Sequence, residues 1–545
     1  MKKWQLENKK EIKSEEYLIK ILLENRNIKT KKDVNTFLKP NLSEISWKSL
    51  KIDKTNLNKS LKRIEKAIKN KENIIIFGDY DVDGICASAI LWETLNSLEA
   101  NALPYIPNRF DDGYGLSING IDKLLGKQKV DLIITVDNGI VANDAVDYAN
   151  SKGIDVIITD HHVPSKKLPN AFSIIHTTLL CGAGIAYILS KEIKSEKIEK
   201  TDNHLELVTL ATIADLVPLK DANRTLVFHG LKSLNKTKRP GLLALFQKAG
   251  IRNGEVGIYE IGHIIAPRIN AMGRLENAMD SLRLICTTDI KRASQLATLL
   301  SDTNFERQKL TLKSLEHAKN KVSKKEIKNL IFIADKSYQE GIVGLIAGRI
   351  AEEYYRPSIV ISKGKKFSKA SARSVKGFNI IEFLREASEL LVDVGGHPMA
   401  AGFTVETKNL EALEKKLHQI ADKLIKKEHL ERTLRVDTNL PLDFINTKTY
   451  SQIEKLSPFG MANPEPTFLT TSFKVESLKL VGNDGKHLKL KLSKENKWFE
   501  AIAFGIGKTH EIKQGDFVDA VYSLDENVWN GKKLLQLKIK DLKRN

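Results

Sequence analysis

The first half of the chain contains short, compact apolar runs, each followed by a polar turn. Residues 74–77 form one run, a helical stretch over residues 87–98 follows it, and further runs occupy residues 130–136 and 154–159. This alternation of strand, turn and helix is typical of a parallel sheet that is covered on both faces. In such sheets, ligands bind beyond the carboxyl ends of the strands. The pattern therefore predicts an α/β lobe with a site at one edge of its sheet.

Three further kinds of structure are predicted along the rest of the chain. Residues 1–70 place apolar residues at helical spacing among many lysines, which favours short helices. Residues 289–322 lack Pro and Gly, so we expect one long helix that joins two lobes. A second α/β segment covers residues 330–426. Beyond it, five alternating segments predict a small closed barrel of the kind that binds single strands, and they are residues 473–480, 487–492, 498–504, 517–522 and 534–539.

The charge balance of the chain is basic. Its 545 residues include 87 Lys plus Arg against 68 Asp plus Glu, which gives a formal net charge of +19. Lysines are spread along the whole chain, so a lysine-favouring, AT-rich genome explains this balance as well as a polyanion partner does. If a partner is the cause, nucleic acid is favoured over a membrane, because no basic amphipathic anchor stands out.

Cysteine use and the first residues bear on where the protein resides. Cys86, Cys181 and Cys286 lie far apart and form no CxxC pair, so a structural zinc site is not expected. Their sparse, odd number suits a reducing compartment, and we expect a cytoplasmic protein. The first residues contain no apolar core of a signal peptide, and no apolar run approaches the ~18 residues of a membrane span.

Four segments in the first half carry aspartates, and each is interpreted as the end of a buried strand. They are residues 78–84, 135–139, 159–162 and 211–215. Acidic residues crowded at strand ends repel one another, so a fold tolerates them only with positive charge among them. Divalent cations are the usual solution, and two close cations form a device for cleaving phosphate esters. A single such aspartate is more often a helix N-cap or a turn residue, but four together favour a metal centre.

The residue types in these segments predict separate roles. Asp81 and Asp83 would each hold a different ion, and Asp137 on the next strand would bridge the two. An Asp/His set suits Mn²⁺ or Mg²⁺, and two such ions activate water for in-line attack on phosphorus. His162 would donate a proton to the leaving oxygen. The remaining candidates are His161 as a nitrogen ligand, Asp160 as the residue that orients an imidazole, Asp215 as the ligand that completes the second ion's shell, and Asp79 as a third ligand or a structural cap.

Residues 160–162 read Asp-His-His, and with the other three motifs they resemble the DHH phosphoesterase superfamily. The order of the motifs and the residues within them resemble the RecJ family of single-strand-specific DNA exonucleases more closely still. This resemblance covers nearly the whole chain. Residues 371–374 and 395–397 resemble the DHH-associated domain (DHHA1), and residues 458–466 resemble the beginning of the RecJ oligonucleotide-binding (OB) barrel. Other matching segments are residues 107–109, 113–116, 181–184 and 266–274.

The resemblance implies a 5′→3′ exonuclease that releases mononucleotides from single-stranded DNA with Mn²⁺ or Mg²⁺. It also implies work in recombinational and mismatch repair, with a single-strand-binding protein or a helicase as partners. The metal-site motifs fall on Asp79, Asp81, Asp83, Asp137, His161 and Asp215, and His162 falls near the scissile phosphate. Substrate-binding positions fall on Arg109, Asn270, Arg274, Ser371, Arg373 and His397, with Arg274, Ser371 and Arg373 as the candidates for the 5′ end.

The resemblance also divides the chain into segments. The expected division is an N-terminal helical segment at 1–70, a DHH domain at 71–235, an interlobe helical region at 236–325, a DHHA1 domain at 326–428 and an OB barrel at 429–545. The expected fold is therefore two α/β lobes joined by a long helix, with a C-terminal β-barrel. We expect the lobes to face each other across a cleft that admits one strand. Trp498, Phe499 and Trp529 are candidates for base stacking, with barrel core as the competing interpretation for at least one of them.

Some positions depart from the family pattern, and other functions remain open. Residues 338–341 read Tyr-Gln-Glu-Gly where the family usually has Trp-His-x-Gly, and residues 176–178 replace an Asn-Pro loop. Ala211 replaces a usual Gly. The alternative functions are a phosphodiesterase for short oligonucleotides or cyclic dinucleotides, a non-enzymatic replication scaffold, and a single-strand-binding protein.

Overall fold

The computed structural model describes residues 2–109, 111–113, 115–194, 204–252, 254–324, 326–507, 511–529 and 532–545. The chain divides into two compact units. One unit, with two lobes, comprises Ser46–Asp215 and Gly230–Glu431, and the other comprises Met1–Ile45, Leu216–His229 and Arg432–Asn545. Within the described ranges, no helix combines the length and the apolar character needed to cross a bilayer.

Strands and helices are numbered in chain order. Strands β1 to β17 are Lys3–Asn8, Ile74–Phe77, Ala102–Tyr105, Leu132–Val136, Asp155–Asp160, Ser173–His176, Ile331–Asp335, Ser358–Ser362, Phe367–Arg373, Leu391–His397, Ala400–Glu406, Thr433–Asn439, Phe468–Val481, His487–Lys494, Lys497–Ala503, Phe517–Trp529 and Lys532–Arg544. Helices α1 to α17 are Glu15–Glu24, Lys31–Leu38, Lys54–Lys69, Val82–Asn96, Ile118–Leu125, Asn143–Ser151, Gly182–Lys194, Leu205–Ala214, Asp221–Leu234, Pro240–Lys248, Ala266–Leu275, Met279–Cys286, Ile290–Ser323, Val343–Tyr354, Ile380–Arg385, Leu410–Leu424 and Thr447–Glu454.

The first lobe is built on a parallel sheet with the strand order β3-β2-β4-β5-β6. Every residue of β2 and β4 is buried. Because these strands are buried on both faces, neither face needs polar side chains, which explains the unbroken apolar runs in the sequence. Strands β2, β4 and β5 are neighbours, so their carboxyl ends meet at one edge. The predicted parallel α/β sheet is confirmed.

The second lobe has a mixed sheet and is joined to the first by helix α13. The strand order is β10-β11-β9-β8-β7, in which β7 and β8 are parallel and the other pairs antiparallel. Helix α13 has 34 residues and begins after Asp289, whose side chain accepts a hydrogen bond from the Arg292 amide. At 1.5 Å per residue, it is about 51 Å long. It packs against α11 and α14, which confirms the long helix predicted at 289–322.

The other unit contains a closed barrel. Strand β13 pairs with both β14 and β16, so the strands β13-β14-β15-β17-β16 form a ring. Phe473, Leu490 and Tyr522 are among the side chains that fill its interior. The five strands overlap the five predicted segments, and the predicted barrel is confirmed.

The barrel unit also contains the beginning of the chain, where the sequence interpretation expected only helices. Strand β1 runs parallel to β12 and places Trp4 opposite Leu434. Its residues alternate between exposed and half-buried. The strand was missed because it has six residues and its partner lies far along the chain, so no hairpin signal accompanies it. Helices α1, α2 and α3 follow it, as predicted for this region.

Buried Arg224 on α9 holds three separate segments of this unit together. Its guanidinium donates to the carbonyl oxygens of Phe37 at 3.1 Å, Leu456 at 3.0 Å and Ser457 at 2.6 Å. It also lies 3.7 Å from the centroid of the Phe37 ring. The unit is therefore assembled from distant parts of the chain, whereas the predicted segments at 1–70, 71–235 and 429–545 are continuous. The predicted domain boundaries therefore stay a prediction.

Candidate metal centre and anion pocket

The predicted metal-site residues converge at the carboxyl edge of the first sheet. Asp79 follows β2, Asp137 follows β4, and His161 follows β5. Asp81 is the N-cap of α4, where its Oδ1 accepts hydrogen bonds from the amides of Asp83 and Gly84. Each of the six predicted metal-site residues belongs to a compact set of ligand atoms, and the six are Asp79, Asp81, Asp83, Asp137, His161 and Asp215.

The element that carries Asp215 differs from the prediction. Residues 211–215 were interpreted as a strand end, but they form the last turn of α8, and Asp215 is its C-cap. All but the last residue of this helix are buried. A short, continuous apolar run has no period that separates a buried strand from a buried helix, so the sequence pattern was ambiguous. The residue still reaches the predicted site.

Potential ligand atoms form three overlapping groups, of which two contain Asp137 and two contain His161. In each group, one atom per residue lies within 4.8 Å of the others, and the groups are Asp79/Asp81/Asp137, Asp83/His161/Asp215 and Asp137/His161/His162. The Nε2 atom of His161 lies 3.1 Å from Asp137 Oδ1, 3.7 Å from Asp83 Oδ2 and 3.8 Å from Asp215 Oδ2. This arrangement offers two adjacent cation positions with Asp137 between them.

Backbone amides hold the carboxylates in place. Asp83 accepts hydrogen bonds from the amides of Gly182 and Ala183, both at 2.7 Å, at the start of α7. A Cβ atom on Gly182 would lie 2.5 Å from the Cβ of Asp137, so only glycine allows this approach. Gly84 lies in the first turn of α4, where a Cβ would lie 2.6 Å from the Asp79 amide nitrogen.

The electrostatics of this cluster fit a divalent metal centre. Burial, followed by the charge of Asp83, raises the pKa of Asp137 well above its usual range. The same two causes raise the pKa of Asp215 to about 8. Burial lowers the pKa of His161, which favours the neutral imidazole that a metal needs. Asp137 Oδ1 is buried without a hydrogen bond of suitable geometry. Oxygen donors with one imidazole suit Mn²⁺ or Mg²⁺.

Asp160 orients His162. Its Oδ1 accepts from Nδ1 of His162 at 2.7 Å, and its Oδ2 accepts from the Ile140 amide at 2.9 Å. Burial opposes the charged imidazolium, but the hydrogen bond and charge of Asp160 outweigh it and raise the pKa of His162 to about 9. The His176 ring bonds to the carbonyl oxygen of His162 at 2.7 Å. His162 is therefore held in one orientation, partly exposed, beside the carboxylates.

The second lobe approaches His162 through His397. This residue ends β10, and its ring lies 6.4 Å from the His162 ring between centroids, with the planes 18° apart. His397 is exposed. Side chains of both lobes therefore face the same space beside the metal-site residues.

Arginines from both lobes form a second cluster near the start of α14. Arg373 Nη1 donates to Ser371 Oγ at 2.8 Å, and Arg274 Nη1 donates to the Gly341 carbonyl at 3.1 Å. A Cβ on Gly344 would lie 3.0 Å from Arg373 Nη2 and 3.2 Å from Ser371 Oγ, so this glycine leaves room for both. Burial and the charges of Arg109 and Arg307 lower the pKa of Arg274 to about 10.

One arginine of this cluster was not predicted from the sequence. The cluster as a whole has no carboxylate partner among the described residues. We define the arginine cluster as Arg109, Arg274, Arg307 and Arg373. Arg307 lies on α13 and donates from Nε to Asn304 Oδ1 at 3.2 Å. Among the residues that the structure describes, no carboxylate forms an ion pair with any of the four. The four arginines are half-buried, and cations withdrawn from water without a counter-charge are costly, so the cluster favours an anionic ligand.

The predicted residue Asn270 and the departure from the family pattern at residues 338–341 both have structural contacts of their own. Asn270 Oδ1 accepts from the Val82 amide at 2.9 Å and so helps to hold the loop that carries Asp79, Asp81 and Asp83. Where the family usually has Trp-His-x-Gly, Tyr338 is buried with its hydroxyl 3.0 Å from Nδ1 of His317, and Gln339 is exposed.

The stacking candidates of the barrel differ in exposure. Trp498 is 56% exposed, and Nζ of Lys491 lies 4.7 Å from the centroid of its ring. The Phe499 ring lies 5.6 Å from that of Phe473 and packs against the barrel core. The side chain of Trp529 lies outside the described residues. Trp498 is therefore accessible on the surface, and Phe499 contributes to the core.

The fold and these two clusters define a class of protein, and family models agree with it. The model of the DHH family N-terminal domain matches residues 73–212, and that of the DHHA1 domain matches residues 324–423. The model of the RecJ OB domain matches residues 436–541. The chain is thus a two-lobed DHH–DHHA1 protein with an OB barrel.

Individual relatives narrow this class to one family. The chain is 36% identical over 492 residues to the single-stranded-DNA-specific exonuclease RecJ of Bacillus subtilis, and the match covers 88% of this chain and 62% of the relative. It is 30% identical to the RecJ of Haemophilus influenzae, over 88% of this chain and 89% of the relative. The crystal structure of Thermus thermophilus RecJ with Mn²⁺ matches with a TM-score of 0.85 and 27% identity, covering 100% of this chain and 80% of that one. The chain belongs to the RecJ family.

Proposed function

We propose that this protein is a 5′→3′ exonuclease that releases mononucleotides from single-stranded DNA and uses two Mn²⁺ or Mg²⁺ ions. The observation that carries this proposal is the pairing of a carboxylate cluster organised around Asp137 with an arginine cluster that has no counter-ion among the described residues. The first suits cations that act on a phosphodiester, and the second suits a phosphate group. The names of its RecJ relatives support the substrate and the reaction.

The metal-site residues divide between two ions. Asp79, Asp81 and Asp137 would hold one ion, and Asp83, His161 and Asp215, together with Asp137, would hold the other. When bound, such ions supply an activated water and neutralise charge on the phosphate. The amides of Gly182 and Ala183 fix Asp83 before any ion arrives, so the ligands need little reorganisation.

His162 is the proposed general acid. Asp160 keeps its Nδ1 proton engaged, which directs the other ring nitrogen away from Asp160. With its pKa raised to about 9, His162 carries a proton near neutral pH and can transfer it to the leaving 3′ oxygen. His397, which faces it from the second lobe, would hold the same phosphate from the other side.

The arginine cluster and Ser371 are the proposed receptor for the terminal 5′ phosphate. A terminal phosphate carries more charge than a diester, and guanidinium groups bind it through paired hydrogen bonds. Only one end of a strand carries this group, so the receptor would set the direction of digestion. The barrel, with Trp498 and Lys491 exposed, would hold the strand by stacking and charge. Recombinational and mismatch repair are the proposed settings.

The test is digestion of a single-stranded oligonucleotide that is labelled at either end, with Mn²⁺, beside the Asp137→Ala variant. We expect ordered loss of nucleotides from the 5′ end with the wild-type protein and none with the variant. A blunt duplex of the same sequence serves as the second substrate. Slow digestion of the duplex is expected if the cleft between the lobes admits a single strand.

Other outcomes would point elsewhere. Cleavage of dinucleotides or cyclic dinucleotides without digestion of long strands would favour the phosphodiesterase alternative. Binding of single strands without cleavage by either protein would favour a scaffold or a single-strand-binding protein. Equal rates on single strands and duplex would contradict the narrow cleft.

A further inference from the structure

Tyr80 lies between the two clusters that the proposed function uses. It is the residue between Asp79 and Asp81, so its backbone belongs to the carboxylate loop. Its amide donates to Asp79 Oδ1 at 2.7 Å. The side chain, which is not a metal ligand, is half-buried and turns toward the arginines rather than into the helix that follows. A single residue therefore contacts both sides of the site.

The guanidinium of Arg109 lies over the ring of Tyr80. The Cζ atom of Arg109 lies 5.2 Å from the ring centroid, within the range of a cation–π contact. Arg109 has no carboxylate partner among the described residues, and this ring is one of the contacts that can restrain its guanidinium.

Helix α11 fixes the other side of Tyr80. A Cβ on Gly273 would lie 2.5 Å from the carbonyl oxygen of Tyr80 and 3.1 Å from its Cβ, so the loop packs directly on the helix backbone. The next residue, Arg274, points to the carbonyl of Gly341 on the second lobe. One turn earlier, Asn270 accepts from the Val82 amide. Helix α11 thus carries contacts to the carboxylate loop and to the arginine cluster on consecutive turns.

We propose that Tyr80 is a positioning residue for the terminal phosphate: its ring holds Arg109 in the arginine cluster and sets the reach from that cluster to the carboxylate centre. This inference rests on the proposed function, because it assigns a residue to the selection of the 5′ end. The proposed contact uses the face of the ring, which phenylalanine keeps and leucine lacks. A phenylalanine at position 80 should therefore keep the function of the tyrosine. A leucine fills part of the volume but has no π face.

The experiment separates this role from general stability by measuring binding without metal. Fluorescence anisotropy in EDTA gives the affinity of each variant for one oligonucleotide with a 5′ phosphate and for the same oligonucleotide with a 5′ hydroxyl. The ratio of the two affinities reports the terminal phosphate alone. The variants are Tyr80→Leu, Tyr80→Phe, Arg109→Ala and the double variant Tyr80→Leu/Arg109→Ala. Tyr148→Leu is the matched control, since Lys152 Nζ lies 5.1 Å from the centroid of that ring on α6.

The expected result is a loss of about fivefold in the affinity ratio for Tyr80→Leu, the size of a partly buried cation–π contact. Tyr80→Phe and Tyr148→Leu keep the wild-type ratio. If Tyr80 acts through Arg109, the double variant loses no more than Arg109→Ala alone. A wild-type ratio in Tyr80→Leu, additive losses in the double variant, or a wild-type protein without any preference for the 5′ phosphate would overturn the inference. Absence of digestion by the wild-type protein with Mn²⁺ would instead refute the proposed activity.

Discussion

The carboxylate cluster and the arginine cluster are both groups of like charges that are largely withdrawn from water, but they respond to that cost differently. Asp79, Asp81 and Asp137 respond with raised pKa values, so protons can neutralise them when cations are absent. Arg274 retains its charge at neutral pH even though burial lowers its pKa to about 10. Backbone amides also stabilise Asp81 and Asp83, whereas no described carboxylate pairs with the arginines. The arginine cluster therefore depends more strongly on a ligand.

The two clusters also differ in how the chain assembles them. All but one of the metal-site residues follow strands of a single sheet, so one lobe suffices to place them. The arginines come from a loop after β3, the end of α11, the middle of α13 and the end of β9. Their geometry depends on both lobes and on the helix that joins them. Changes at the carboxylates should therefore affect chemistry, and changes at the arginines should affect recognition.

The largest effect is expected from Asp137→Asn, which removes a charge without changing the shape. Digestion with Mn²⁺ should fall by at least about a thousandfold, since metal ions contribute several kcal/mol to such reactions. In EDTA the melting temperature should stay equal or rise, because one repelling charge is gone. Mn²⁺ should stabilise the wild-type protein, by about 2.7 kcal/mol at a hundred times its dissociation constant, and the variant much less.

Asp144→Asn on α6 is the control for this change, because Asp144 is exposed on the same lobe. It should leave both the rate and the Mn²⁺-induced shift unchanged. If Asp137→Asn melted at a much lower temperature in EDTA, Asp137 would be a stabilising residue and the account of a repelling cluster would be wrong.

His162→Asn tests whether the positive group beside the carboxylates acts on the leaving oxygen. A general acid contributes about 10²- to 10⁴-fold, so a loss in this range is expected on ordinary DNA. A strand with sulfur in place of the leaving 3′ oxygen needs no protonation, so the variant should lose far less on it. The Mn²⁺-induced rise in melting temperature should remain. Equal losses on both linkages, or loss of the Mn²⁺ shift, would mean that His162 is a ligand rather than an acid.

Arg274→Gln should reveal the opposite electrostatic behaviour to Asp137→Asn. We expect a loss of about tenfold to a hundredfold on strands with a 5′ phosphate, the worth of hydrogen bonds to a charged group, and little loss on strands with a 5′ hydroxyl. Inorganic phosphate should stabilise the wild-type protein in thermal melts and not the variant. Arg292→Gln, an exposed change on α13, is the control. An equal loss on both kinds of strand would contradict a receptor for the terminal phosphate.

The carboxylate cluster could be predicted from sequence because its residues follow a local rule. Buried strands can be recognised as apolar runs in the sequence, and Asp79, Asp137 and His161 follow such runs within one or two residues. Asp215 was placed correctly although its helix was taken for a strand, since either element brings its last residue to the same edge. Strand β1 was missed because its partner β12 is distant in sequence.

The arginine cluster could be predicted only where a motif marked it. Arg109, Arg274 and Arg373 stand in segments that resemble the family, whereas Arg307 lies in a long helix with many charged residues and no distinctive pattern. The period of a helix reports which face is apolar and does not distinguish a solvated arginine from one that faces other arginines. Only the packing of α13 against α11 separates the two cases.

Arg307→Gln is the change with the smallest expected effect, and it tests whether the missed residue belongs to the receptor. Its guanidinium is half-buried and shares one hydrogen bond with Asn304, so it keeps donors for a ligand. We expect a loss of about threefold to tenfold on strands with a 5′ phosphate, near the lower end for charged hydrogen bonds. Combined with Arg274→Gln, the losses should be less than additive, because both residues act on one phosphate. Lys309→Gln, an exposed change two residues further along α13, should have no effect. Strict additivity, or the same loss with Lys309→Gln, would assign Arg307 to the general basic surface and reduce the receptor to the arginines that the motifs mark.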